Sequence, residues 1–191
     1  MARPIEFDRF QALNRALELF WRQGFQATSL ADLLASMGIS RSSFYAAFGD
    51  KRRLFTTCLD LFASRLTRRL QRARAHAEPL DALQDFLEHS LLPAGDTRGR
   101  WGCMLVNTVL ELAGVDDELS ARASRHLEDM QGVFQASLMD AGATPEQAFE
   151  LAAVLMLVSE GVLVSSRRPL PDSEQLQPIA ATFRLIRGAL A

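Results

Sequence analysis

With 191 residues, 48% of them hydrophobic, the chain can bury a core without covalent staples, and its two cysteines, Cys58 and Cys103, exclude a disulfide scaffold and read as reduced thiols of a cytoplasmic protein. The opening residues hold no apolar signal segment, and the longest apolar stretch, Leu151 to Val158, is bracketed by Glu150 and Glu160 and falls far short of the ~20 residues that cross a bilayer, so neither secretion nor a membrane partner is expected. The formal net charge of −2 conceals a division: residues 1–76 carry 13 Lys+Arg against 6 Asp+Glu, residues 77–191 carry 8 against 17, and this asymmetry suggests a basic partner-binding module on an acidic body.

Apolar residues recur at helical period along the whole chain and no alternating β-branched run interrupts them, so the fold is expected to be all-α with nine helices. Phe10, Leu13, Leu17 and Phe20 make one stripe of a first helix that ends before Gly24. Thr28-Ser29 caps a second helix with Leu30, Leu33, Leu34 and Met37 inward; Gly38 ends it, and Ser40 caps a short third helix over 41–48. Gly49-Asp50 opens a long fourth helix to about Ala75, and a fifth runs from Glu78-Pro79 to about Leu92, before a Gly- and Pro-rich loop over 93–102. A sixth covers about 103–113 and a seventh runs from Asp116-Asp117 to Asp140. Thr144-Pro145-Glu146-Gln147 forms a capping box for an eighth to about Arg167, and a ninth follows Pro169 and Pro171. The expected division is a DNA-binding domain over 1–50 and a regulatory body over 51–191.

Two helices joined by a tight glycine turn fit a helix-turn-helix, whose second helix enters the major groove. On the third helix Phe44 and Phe48 share the core side, leaving Ser42, Ser43 and Ala46 outward with Tyr45 on the flank, a small face that lets a helix sit deep. Arg41 alone there can fork onto guanine. Thr28 and Ser29 at the start of the second helix, the Tyr45 hydroxyl and Lys51 are candidate phosphate contacts, with simple capping the competing reading for the first two. Lys51, Arg52 and Arg53 occupy the positive end of the fourth helix, an unfavourable place for cations unless an anion approaches from elsewhere, DNA phosphate being the expected one.

Residues 7–60, with Gly24-Phe25, Thr28-Ser29, Gly38-Ile39-Ser40, Phe44-Tyr45, Phe48, Lys51 and Leu54-Phe55, resemble the TetR family of bacterial transcriptional regulators. The resemblance implies a homodimer that binds a palindromic double-stranded DNA operator through its first three helices and is released by a small-molecule effector held in the body. It also favours Lys51 as a phosphate contact, while Arg52 and Arg53 fall where the family varies and read as surface charge. Leu34 and Met37 replace common alanines, Ala46 and Ala47 stand where histidine or tyrosine is common, and Ser42 replaces a frequent glycine.

The eighth helix is apolar almost all round, more than one monomer face needs, and with the ninth it suggests a dimer surface of Leu151, Leu155, Val158, Gly161, Val162, Phe183 and Ile186, with a core helix buried within the protomer as the competing reading. Phe62, Phe86, Trp101, Met104, Leu110, Met130 and Phe134 are candidate pocket lining, with plain core as the competing reading, and Asn107 and Glu111, four apart on the sixth helix, are either polar orienting groups or solvent-exposed. Cys103, after Arg98, Arg100 and Trp101 at a helix start, is a further pocket candidate and a candidate low-pKa sensor thiol, against the commoner buried, inert cysteine. His76, His89 and His126 are dispersed, with no metal spacing or phosphate loop, so neither an enzyme nor a cofactor is expected. A small-molecule-binding or enzymatic helical bundle and a thiol-based regulator acting through Cys103 remain the alternatives.

Overall fold

The computed structural model describes residues 7–91, 101–168 and 171–190, and every regular element among them is helical. In order these are α1 (Arg9–Gln23), α2 (Leu30–Met37), α3 (Arg41–Phe48), α4 (Lys51–Arg74), α5 (Pro79–Leu91), α6 (Met104–Leu112), α7 (Asp117–Asp140), α8 (Pro145–Ser165) and α9 (Asp172–Leu190). Residues 93–100 of the loop expected over 93–102, including Arg98 and Arg100, lie outside the described residues.

Local capping sets most boundaries. Asp8, Ser40 and Asp50 each accept from a backbone N–H in the first turn of the helix they precede, and Thr144 shares a reciprocal capping box with Gln147. The cap of α2 is Ser29, not the Thr28-Ser29 pair: Ser29 and Asp32 form a second reciprocal box, which holds Asp32 ionised below the usual carboxylate range. Between α2 and α3 the chain turns through Gly38 at φ 68°, a left-handed conformation that side chains other than glycine's resist, and the next helix begins three residues later.

Two apolar clusters organise the packing. The first joins α1, α2 and α3 to the front of α4, to α6 and to Leu119 of α7, with Phe20, Phe44 and Phe55 fully enclosed; the second joins the rear of α4 to α5, α7, α8 and α9 around Leu83, Phe134, Leu155 and Phe183. Thus α4 runs through both. Phe10 departs from its expected stripe: at the first turn of α1 it is 62% exposed.

The seam between the clusters carries charge. Asp60 of α4 accepts from Arg122 (2.8 and 2.6 Å) and pairs with His126 Nε2 (2.9 Å), both on α7; burial disfavours its charge, but these partners outweigh it and keep its pKa low. A hydrogen-bonded pair of this kind fixes the register of two long helices.

Candidate nucleic-acid interface and effector cavity

On α3 the sequence pattern places side chains as helical geometry requires. Phe44 and Phe48 are buried, and Arg41, Ser42, Tyr45 and Ala46 face solvent, Tyr45 at 49% exposure. Phe44 meets the Tyr45 ring edge-on at 5.5 Å, which fixes the plane of the tyrosine while leaving its hydroxyl outward. Ser40 Oγ lies 2.9 Å from the hydroxyls of both Ser42 and Ser43, so three hydroxyls cluster at the start of this helix. Arg9 was not anticipated: its guanidinium donates to the Ala47 carbonyl at 3.3 Å and lies 5.4 Å from the Phe48 ring centroid, putting a cation at the far end of α3. Only its lone position at the head of α1 could have hinted at this.

The other phosphate candidates are placed unequally. Thr28 is fully buried and its hydroxyl donates to Gly24 O at 2.7 Å, so its side chain ties the α1–α2 turn together and does not face outward, whereas Ser29 is exposed. Lys51 folds back with Nζ 4.5 Å from the Phe25 ring centroid; partial burial lowers its pKa, and Glu111 opposes that shift. Arg52 and Arg53 correct the expectation of an external anion. Arg52 donates to Asp116 (2.8 and 3.2 Å) and Glu118 (2.9 Å), and Arg53 lies 3.7 Å from Asp50, so carboxylates of the chain itself offset the unfavourable helix end. Asp116 also accepts from Leu119 N as the cap of α7, and Arg52 holds its carboxyl below the ordinary range. This ties the starts of α4 and α7 together.

Glu111 was expected to orient a ligand. Instead its carboxylate accepts the backbone N–H groups of Phe25 (2.9 Å) and Gln26 (2.7 Å), binding α6 to the turn between α1 and α2. Gly24, at φ 86°, makes room: a Cβ there would stand 2.6 Å from Glu111 Oε2. Asn107 donates to the Trp101 carbonyl at 2.7 Å, and both Asn107 and Glu111 border a separate surface cleft beside α1.

A cavity of about 410 Å3 lies among α1, α4, α5, α6, α7 and α8. Phe62, Phe86, Cys103, Met130 and Phe134 line it as expected; Trp101, Met104, Leu110, Asn107 and Glu111 do not. Met104 is core, and Trp101 packs edge-on to Trp21 at 5.4 Å just behind the lining. Trp21, Arg65, Met156, Ser159 and Glu160 complete walls that sequence periodicity could not supply, because they come from three helices whose rotations only packing sets. The expected depression of the Cys103 pKa is overturned. The thiol is buried, desolvation drives its pKa up to about 11, and the Leu105 and Val106 amides only partly counter that, so it is a neutral thiol at the cavity wall.

The dimer expectation is also corrected in its particulars. Leu155, Val162, Phe183 and Ile186 belong to the protomer's own core, and Leu151 and Val158 pack against it. Gly161 is exposed, in a row with Val154 (52% exposed), Leu157 (69%) and Val164 (48%), spaced 3, 4 and 3 residues apart on the outer side of α8; Leu185 of α9 is likewise exposed.

A helix-turn-helix with a small outward face, seated on a helical body that encloses a cavity, defines a class of DNA-binding regulators. Residues 12–58 match the family described as Bacterial regulatory proteins, tetR family, and residues 79–182 match the Transcriptional regulator LmrA/YxaF-like, C-terminal domain. The chain belongs to the TetR family of bacterial transcriptional regulators. It is 30% identical over 142 residues to the HTH-type transcriptional regulator YezE of Bacillus subtilis, covering 74% of this chain and 73% of that protein. With the HTH-type transcriptional repressor ComR of Escherichia coli it shares 29% identity over 193 residues, 96% of this chain and 90% of ComR. A cysteine mutant of the TetR-family regulator CifR, solved in complex with a 26-bp operator duplex, superposes with a TM-score of 0.78 at 26% identity, covering 96% of this chain and 98% of that one. These relatives are transcriptional regulators, and the chain is a regulator, not an enzyme.

Proposed function

We propose that this regulator is a cytoplasmic repressor that binds a palindromic operator as a homodimer and lets go of it when a small molecule occupies the body cavity. The observation that carries the DNA-binding reading is α3, whose aromatic side is locked inward while Arg41, Ser42, Tyr45 and Ala46 present an exposed surface narrow enough for a major groove. Arg41 is assigned base readout. Ser29, Ser43, Tyr45 and Arg9 are assigned to the phosphates, and Lys51 joins them by swinging away from Phe25 when a backbone phosphate offers a better partner than the ring.

The homodimer is proposed to form through the outer row of α8. By length and composition this helix could cross a membrane, yet only a third of its most apolar window is buried inside the protomer. In a DNA-binding regulator a second copy accounts for the rest: Val154, Leu157 and Val164 supply the apolar seam, and Gly161 allows close approach. For effector response, the cavity and the DNA-binding unit share α4 and α6. Filling the cavity shifts these helices, and Glu111 passes the movement of α6 to the α1–α2 turn.

Selection of bound fragments from genomic DNA, followed by anisotropy titration of the selected duplex over a range of salt, tests the reading. Operator affinity is expected to fall steeply with ionic strength, and Arg41→Ala to relax base preference at one position per half-site. Undetectable or salt-independent duplex binding would reject it.

A further inference from the structure

The cavity holds a polar feature that its apolar walls do not explain. Glu160 of α8 borders it, half-buried, and among the described residues no cation pairs with the carboxyl. The two arginines of the lining are engaged elsewhere: Arg65 donates to Asn14 of α1, and Arg69 reaches the His89 carbonyl of α5 at 3.4 Å. The neighbouring polar side chains offer Glu160 no counter-charge, since Ser159 donates to Leu155 O at 2.7 Å and Cys103 is a neutral thiol. Aromatic rings surround this space, with Trp21 and Phe62 edge-to-face at 5.0 Å and Phe86 and Phe134 on the other walls.

We propose that the effector of this regulator is a lipophilic organic cation, whose charge pairs with Glu160 while its apolar bulk fills the aromatic cavity. The proposal rests on the reading of the cavity as the effector site. A carboxylate half out of water is costly unless a partner supplies the missing charge, and burial accordingly pushes Glu160 above the usual carboxylate range. A ligand cation removes that cost on arrival, and the aromatic lining of Trp21, Phe62, Phe86 and Phe134 favours the same sign of charge. An anionic ligand of equal size faces the Glu160 carboxyl, and to reach a guanidinium it must displace the Asn14 oxygen from Arg65 or the His89 carbonyl from Arg69. Neutral ligands gain the apolar contacts alone.

Three probes of similar shape and different charge test this on the full-length protein: tetraphenylphosphonium, triphenylphosphine oxide and tetraphenylborate. Trp21 at the wall and Trp101 behind it are the only tryptophans of the chain, so quenching of intrinsic fluorescence reports occupancy of this space. The phosphonium is expected to bind about tenfold more tightly than either of the others, a ratio worth about 1.4 kcal/mol. Glu160→Gln should abolish that advantage while the neutral oxide binds as before. Equal binding of the three probes to the wild-type protein would overturn the cation proposal and leave the cavity standing as an effector site, as would a cation preference that survives in Glu160→Gln. Failure of all three to bind would overturn both. The wild-type comparison needs no variant to fold.

Discussion

Around α3 the inward side chains are aromatic and interlock. Phe44 and Phe48 stand 6.1 Å apart, Phe20 and Phe25 each meet Phe55 at 4.9 Å, and the caps at Ser29, Ser40 and Asp50 leave few backbone donors for water to compete for. The body, built from equally apolar helices, encloses a cavity of about 410 Å3 beside Phe62, Phe86 and Phe134. A filled region resists deformation because every displacement breaks contacts, whereas walls around a void can move inward or outward at small cost. The reading surface is therefore built to keep its shape and the body to change it. α4, which runs through both apolar clusters, and α6, which lines the cavity and holds the α1–α2 turn through Glu111, connect the two.

Several substitutions can break or sharpen this contrast. Phe44→Ala empties a fully enclosed position and is expected to destabilise the protein by ~3–5 kcal/mol, read from the urea midpoint, with operator binding lost; a cost below about 1 kcal/mol would show that the region around α3 is not tightly filled. Leu157→Glu places charge in the outer row of α8. Sedimentation should show a monomer, with operator affinity reduced by an order of magnitude or more while the thermal midpoint of the protomer stays nearly unchanged. Glu111→Ala leaves the Phe25 and Gln26 N–H groups without their carboxylate, a loss of ~1–3 kcal/mol. Operator binding should weaken modestly but effector release should weaken more, and an unchanged release curve would remove Glu111 from the connection.

Smaller effects probe the charged parts. Lys51→Ala is expected to lower the salt slope of duplex binding by about one and to weaken all sequences alike. A slope unchanged from wild type would mean that the lysine stays over Phe25 on DNA. The Asp60 carboxyl is held below its unfolded pKa, so the stability it contributes is present above that value and is lost as pH falls below about 4. The pair is partly exposed, and the effect is expected at or below ~1 kcal/mol. Asp60→Asn should lower stability at neutral pH and flatten the acid limb of the unfolding curve.

The helices were readable because their signals are local: Ser40, Asp50 and the Thr144–Gln147 box act within one turn, as does Gly38 at the bend. The outward face of α3 was readable for the same reason, since two phenylalanines four apart fix its rotation. The apolar circumference of α8 carries no such phase. Leu155 and Val162 therefore proved to be core, and the exposed row proved to be Val154, Leu157, Gly161 and Val164. Asn107 and Glu111 share a helix face as expected, but Glu111 meets the α1–α2 turn, more than eighty residues earlier in the chain.

By itself the sequence determined the nine helices found among the described residues, the bend at Gly38 and the small outward face of α3, because caps, glycine turns and helical period act over a few residues. Only the tertiary structure decided that Arg52 finds Asp116, that burial keeps the Cys103 thiol neutral, and that Glu160 borders an aromatic cavity with no cation paired to it among the described residues. Each of these depends on which groups distant in the chain are brought together and how far water is excluded from them, and charge and burial energies follow that arrangement rather than the order of residues.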